Sequence, residues 1–210
     1  MNQGIYEITH NNKLAEGVYE MGLSGDTSQI TRPGQFINIK IDGFFLRRPI
    51  SVCDWDDSSI TIIYKTVGGG TEAMSKMSAG DKLDVLCGLG NGFDTEKSGD
   101  SPLLIGGGVG IPPMYGLCKR LMAEGKNVTV ILGFNKAAEL FYVKEFKDLG
   151  AKVLVTTADG SYGMRGFATT AMRYVDYSYF YTCGPMPMFL AIEKEAVTSG
   201  QYSFEDVKYY

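Results

Sequence analysis

Four short constellations in this sequence could do chemistry. In Arg47-Arg48-Pro49-Ile50-Ser51 an arginine stands three residues before a serine on what reads as an extended strand. A guanidinium fork suits a diphosphate because it donates two hydrogen bonds at once, and the serine hydroxyl can reach an acceptor farther along the same ligand. Val67-Gly68-Gly69-Gly70-Thr71 opens a helix, where glycines let a phosphate approach the backbone. Just before it, Ile63-Tyr64-Lys65 sets an aromatic ring and a cation on one strand. Ile105-Gly106-Gly107-Gly108-Val109-Gly110-Ile111-Pro112-Pro113 follows an apolar strand and opens a helix, the context a dinucleotide-binding turn requires. Its pattern is Gly108-x-Gly110-x-x-Pro113, with proline where a third glycine is usual. Thr182-Cys183-Gly184-Pro185 follows the last strand, and Asp159-Gly160-Ser161-Tyr162-Gly163 follows another, so both sit where a parallel sheet receives its ligand. Each also has a plainer reading: a solvated arginine pair, a flexible turn, a buried thiol beside a tight bend. The carboxylate that usually ends the strand after such a glycine turn is missing, because Val130-Ile131-Leu132-Gly133-Phe134 runs into Asn135-Lys136. That rule therefore leaves NAD against NADP open.

The elements that must position these residues differ between the two halves. From Gly4 to about Val85 the chain carries short apolar runs punctuated by Gly, Asn and Asp, with one helix from Glu72 to Met77 capped by Thr71. That spacing predicts a small antiparallel barrel or sandwich. From Leu103 onward, strands at Leu103–Ile105, Val128–Leu132, Ala151–Thr156 and Tyr179–Thr182 alternate with helical stretches Ile111–Glu124, Ala137–Leu149, Gly166–Tyr174 and Met186–Thr198, the last ended by Gly200. Alternation of this kind predicts βαβ units and a parallel sheet. The boundary falls in the Gly- and Asp-rich loop Asn91–Ser101, giving domains 1–98 and 99–210.

Composition narrows the chemistry further. The 210 residues carry 20 Lys+Arg against 24 Asp+Glu, a net charge of −4, without basic clusters, which argues against nucleic acid as a partner. No apolar run approaches a bilayer span and no secretory leader is evident, so the expected place is the cytoplasm. One histidine, His10, lies in a polar stretch and cannot assemble a Ser-His-Asp or Cys-His site. Cys53, Cys87, Cys118 and Cys183 are dispersed, with no CxxC pair, so no metal ligand set is expected.

Taken in order, these motifs resemble the ferredoxin-reductase superfamily, and within it the electron-transfer subunits of NAD-linked dihydroorotate dehydrogenases. The resemblance rests on LRRPISV (46–52), TIIYKTVGGGT (61–71), LGNGF (89–93), IGGGVGIPPM (105–114), LGF (132–134), TADGSYG (157–163) and CGPMPM (183–188), in register over essentially the whole chain. It implies an FAD-binding barrel followed by an NAD-binding α/β domain. Arg48, Pro49, Ile50 and Ser51 would line FAD, with Arg48 on the diphosphate and Ser51 near the flavin. Ile63, Tyr64 and Lys65 would touch FAD, and Gly70 and Thr71 would hold its diphosphate. Gly107, Gly108, Gly110, Pro113, Asp159, Cys183 and Gly184 would border the nicotinamide nucleotide, and Ser51 and Cys183 would stand nearest the reacting rings. The implied partner is an FMN-containing dihydroorotate dehydrogenase catalytic subunit in a hetero-oligomer, passing electrons to NAD⁺ in pyrimidine biosynthesis. Such subunits also carry a cysteine-ligated [2Fe–2S] cluster, whose ligands are absent from this sequence. Tyr209-Tyr210 would cover the flavin or pack as a tail. Two other functions remain open on the residues: a stand-alone NAD(P)H-dependent flavin or ferredoxin reductase, and a flavin-binding partner subunit without turnover.

Overall fold

A computed structural model of the chain describes residues 1–198; Gly200 and Tyr209-Tyr210 lie outside them. Contacts divide the chain into two units, one comprising Met1–Phe93 with Tyr115–Leu117, the other Asp94–Met114 with the residues from Cys118 onward.

The first unit is a closed six-stranded antiparallel barrel: β1 (Asn2–Ala15), β2 (Val18–Ser24), β3 (Phe36–Lys40), β4 (Arg48–Trp55), β5 (Ser59–Lys65) and β6 (Lys82–Leu89), in the order β1-β2-β5-β4-β3-β6. Closure removes the edges that an open sheet of this size would expose. Alternate residues point inward, and Ile8, Met21, Leu23, Ile37, Ile39, Ile60, Ile62 and Val85 fill the interior. The polar pair Asn11-Asn12, which reads as a turn, lies inside β1. That strand runs 14 residues and absorbs register shifts between Ile8 and His10 and between Lys13 and Ala15. One helix, α1 (Gly69–Met74), follows β5 and starts two residues before the expected cap, so Thr71 sits within its first turn.

The second unit is a five-stranded sheet of β7 (Pro102–Gly107), β8 (Thr129–Phe134), β9 (Lys152–Thr157), β10 (Met164–Arg165) and β11 (Tyr179–Cys183), ordered β10-β9-β8-β7-β11 with parallel pairing throughout. The helices are α2 (Ile111–Ala123), α3 (Val143–Asp148), α4 (Ala168–Met172) and α5 (Met186–Thr198). One face of the sheet packs Leu103, Ile105 and Ile131 against Ala168, Ala171 and Met172 of α4 and Ile192 and Ala196 of α5. The strand β10 was not legible in the sequence, being two residues long.

The expected single helix over Ala137–Leu149 is broken. A 3-10 turn spans Ala137–Glu139, Leu140 is extended, and Tyr142 adopts a left-handed conformation (φ 62°) before α3 begins. Burial of Phe141, edge-on to Phe134 with ring centroids 5.6 Å apart, overrides a helix-compatible run. Among the described residues, no helix is long and apolar enough to cross a membrane.

Candidate functional site

In the barrel unit, the two neighbouring arginines have different tasks. Arg47 is a structural clamp. Its Nη2 donates to both carboxylate oxygens of Asp84 at 3.0 Å, and its Nη1 donates to the carbonyls of Asp84 (3.0 Å) and Asn38 (3.3 Å). Burial pushes the Asp84 carboxyl upward, but bonds from Arg47 and Gln3 outweigh it and hold the group below its ordinary range. Among the described residues, Arg48 has no acidic partner. Its Nη1 donates to the Leu46 carbonyl, and the guanidinium stacks 5.1 Å from the centre of the Phe44 ring. It also lies directly over Gly70, where an added Cβ would stand 2.6 Å from Arg48 Cζ and Nη2. Only a residue without a side chain leaves the guanidinium in that place. Gly68, beside it, has open space where a Cβ would be, and Gly68 and Gly69 are exposed. An arginine paired with no carboxylate among the described residues, aligned on an open glycine backbone, fits a diphosphate such as that of FAD.

The turn that carries these glycines is secured from behind. The Thr71 hydroxyl accepts from Val67 N (2.9 Å) and donates to the Gly68 carbonyl (3.0 Å), so it shapes the turn. At the other end of α1, Asn11 Nδ2 donates to the carbonyls of Met74 (2.8 Å) and Met77 (2.9 Å), and its Oδ1 accepts from the Tyr64 hydroxyl at 2.9 Å. Tyr64 is therefore an interior residue, 1% exposed and stacked on Tyr19, with burial pushing its phenol up to about 12. Its side chain props α1; it does not line a surface for a ligand. Ile63 is also buried, while Lys65 is half-exposed. Ser51 pairs with Phe36 across β4 and β3, and Ile50 packs on the barrel interior, leaving Pro49 exposed. Phe44 and Asn11 are contributors that sequence reasoning missed. Phe44 carried the weak signal of an aromatic four residues before Arg48; Asn11 carried none.

In the α/β unit, most of the glycine run serves packing. A Cβ at Gly106 would lie 2.9 Å from Ile111 Cα, and one at Gly107 would lie 2.6 Å from the Met188 sulfur. A Cβ at Gly110 would overlap the Cys183 carbonyl and stand 2.6 Å from Gly184 N. Gly184 in turn faces Met188 and the Gly107 backbone. The strand ends of β7 and β11 thus meet backbone to backbone. Gly108 alone of the run combines positive φ (53°), open space around it and an exposed position. The start of α2 is poor in donors: Ile111 N–H bonds the Gly108 carbonyl, and Pro112 and Pro113 have no N–H. A dinucleotide here would meet smooth backbone and the helix dipole, with few hydrogen bonds from the helix end.

Around this turn, burial pushes the Cys183 thiol up, so it is protonated near neutrality and offers a soft, uncharged contact. The neighbouring Thr182 hydroxyl oxygen is buried with no hydrogen-bond partner among the described residues, and so is that of Thr156 on β9, an opening for a ligand's polar atom at the strand ends. Asp159 is exposed. Its carboxylate accepts from the Ser161 hydroxyl (2.6 Å) and N–H (2.9 Å), which hold it below its ordinary range. These residues fit a nicotinamide nucleotide. They do not fit an iron–sulfur cluster: Cys53, Cys87 and Cys118 are buried, and among the described residues no group of three potential ligands comes together.

Comparison with known proteins agrees with this division. The oxidoreductase NAD-binding domain family matches residues 104–194. The electron transfer subunit of dihydroorotate dehydrogenase B (NAD(+)) from Bacillus mycoides (strain KBAB4) is 41% identical over 196 residues, covering 89% of this chain and 75% of that protein. Its counterpart from Shouchella clausii (strain KSM-K16) is 40% identical over 200 residues, covering 90% and 77%. Among solved structures, an NADH-dependent reduced ferredoxin-NADP oxidoreductase superposes with a TM-score of 0.83 at 32% identity, over 92% of this chain and 72% of that one. A ferredoxin reductase of carbazole 1,9a-dioxygenase, 19% identical over 95% of this chain and 66% of that one, shares the fold with a TM-score of 0.84.

Proposed function

Because this chain belongs to the family of dihydroorotate dehydrogenase B electron transfer subunits, we propose that it is the FAD-dependent subunit that takes electrons from a dihydroorotate-oxidising catalytic subunit and delivers them to NAD⁺, in pyrimidine biosynthesis. Its partner is an FMN-containing subunit in a hetero-oligomer. None of the four cysteines forms a disulfide, which suits a reducing compartment, and we place the protein in the cytoplasm.

The observation that carries this reading is the division of labour between Arg47 and Arg48. Arg47 ties β6 to its neighbours through Asp84; Arg48, stacked on Phe44 and aligned on Gly70, makes no ion pair among the described residues and is suited to an anionic ligand. Arg48 and the Gly70 backbone would hold the FAD diphosphate, with Thr71 shaping the turn. Pro49, Ile50, Ser51, Ile63 and Lys65 would flank the rest, Tyr64 contributing only its backbone. When bound, FAD supplies the exchange of electrons with the nicotinamide, so no protein base is required. Gly108, through its open backbone, and Gly107, Gly110, Pro113 and Gly184, through the turn they build, would receive the nicotinamide nucleotide. Asp159 would border it, Cys183 would face it with an uncharged thiol, and Ser51 would stand nearest the flavin. No step is assigned to a [2Fe–2S] cluster, for which the described residues hold no ligands.

The test is the cofactor released from the denatured protein, with iron measured on the same sample, followed by NADH oxidation with an artificial acceptor and copurification with a catalytic subunit. Stoichiometric FAD, turnover and a stable complex are expected. Turnover without any complex favours a stand-alone reductase, and FAD without turnover favours a non-catalytic flavin-binding subunit. FMN, or no flavin, overturns the reading.

A further inference from the structure

The β8 end lacks an acidic residue in sequence, yet the fold brings one back to it. Parallel pairing sets Gly107 of β7 beside Gly133 of β8, so the carboxyl end of β8 adjoins the glycine turn. In dinucleotide-binding units this is where a carboxylate takes the hydroxyls of the adenosine ribose. Here Phe134 is followed by Asn135 and Lys136, and the chain then folds into the 3-10 turn Ala137–Glu139. That turn returns the Glu139 carboxylate to the strand end. Its Oε2 accepts from Asn135 Nδ2 at 3.1 Å and from Asn135 N at 3.3 Å, and Oε1 accepts no hydrogen bond among the described residues.

The backbone that presents this carboxylate is tied down. The Asn135 carbonyl accepts from Asp159 N (3.1 Å) and the Phe134 carbonyl from Ala158 N (3.0 Å), while Ala137 N donates to the Ser161 hydroxyl at 2.7 Å. The ends of β8 and β9 and the intervening turn are thereby stitched together around Asn135. Asp159, the other acid at this edge, has one carboxylate oxygen engaged by its own turn. Glu139 is half-buried where Asp159 is exposed.

We propose that Glu139 is the residue that selects NAD(H) against NADP(H), its Oε1 accepting from the 2′-hydroxyl of the adenosine ribose. A 2′-phosphate would bring a charge of about −1.5 to −2 against a carboxylate already fixed by two N–H groups. The inference rests on the reading of this unit as the nicotinamide-nucleotide site. Cations lie at the same edge, with Lys136 before the turn and the Arg165 side chain along Gly160, so the preference of the unaltered protein is itself part of the test.

The experiment is calorimetric titration of the FAD-loaded full chain with NAD⁺, NADP⁺ and ADP-ribose, in the unaltered protein and in Glu139→Gln, Glu139→Asp and Asp159→Asn. The unaltered protein should bind NAD⁺ at least about tenfold more tightly than NADP⁺. Glu139→Gln should cut that ratio about tenfold, equal to about 1.4 kcal/mol, with NADP⁺ binding strengthened. Glu139→Asp, which keeps the charge on a shorter arm, should retain most of the ratio. Equal binding of the two nucleotides by the unaltered protein, an unmoved ratio in Glu139→Gln, or an equal change in Asp159→Asn overturns the inference. If NAD⁺, NADP⁺ and ADP-ribose all fail to bind the unaltered protein, the nucleotide-site reading falls and this inference falls with it; retained NAD⁺ binding with an unmoved ratio removes the inference alone.

Discussion

Val67–Thr71 and Ile105–Pro113 each carry three consecutive glycines ahead of a helix, yet the two turns use them in opposite ways. In the barrel, Gly70 makes room for a side chain, the Arg48 guanidinium, and Gly68 has open space around it. In the α/β unit, Gly106, Gly107 and Gly110 make room for other parts of the same unit, and only Gly108 is open. The difference arises from the donors nearby. The barrel turn brings a cation with no acidic partner among the described residues, whereas the second turn opens a helix whose early positions are Pro112 and Pro113. A glycine triplet therefore marks close approach, without saying whether the approaching group is a ligand, a side chain or another stretch of backbone.

The largest expected effect sharpens that contrast. Gly110→Val should destabilise the α/β unit by about 3 kcal/mol, because its side chain meets the Cys183 carbonyl and Gly184 N, which are backbone and cannot rotate aside. Gly108→Ala, in open space at φ 53°, should cost only about 1 kcal/mol. Denaturant midpoints compare the two; similar losses would erase the distinction between packed and open glycines.

Next come the paired arginines. Arg48→Ala should weaken FAD binding by roughly 2–3 kcal/mol with little loss of fold stability, while Arg47→Ala should cost about 2 kcal/mol of stability and spare FAD affinity. Flavin titration and unfolding measured on both variants separate these outcomes. The Arg47 contribution has a defined pH sense. Asp84 is held below its ordinary value of 3.8, so the folded state binds fewer protons than the unfolded one near that pH. The stability is present above about pH 4 and is lost as pH falls through the depressed value. Arg47→Ala should therefore lose less stability than the unaltered protein between about pH 7 and the acid range, and an equal loss would contradict the assignment.

The smallest effect concerns Phe44. Phe44→Leu should weaken FAD binding by about 1 kcal/mol by releasing the Arg48 guanidinium, and Phe44→Tyr should restore it. In an Arg48→Ala background Phe44→Leu should have no further effect on affinity; an additive loss would mean that Phe44 acts on its own.

Much of this architecture was written in residue periodicity. Alternating apolar runs before residue 90 and strand–helix alternation after residue 102 specify an antiparallel barrel and a parallel α/β sheet, because the two periods bury different faces. Local signals were weaker where burial outbid propensity. Phe141, tucked edge-on against Phe134, interrupts a stretch that is helix-compatible residue by residue, and Asn11-Asn12 sit within a strand because a bulged β1 reaches past them to hold α1.

What linear order could settle, then, was which elements form and that Arg47-Arg48 and two glycine-rich turns accompany them, since residue type and spacing govern helix, strand and turn directly. What it could not settle was assignment between near-equivalent residues: which arginine is locked by Asp84, which glycine is open, that the Tyr64 hydroxyl props a helix, or that Glu139 returns to a strand end five residues behind it. Those outcomes depend on contacts between residues distant in sequence, or on a turn whose path is set by buried neighbours, and neither is encoded in any local run of the chain.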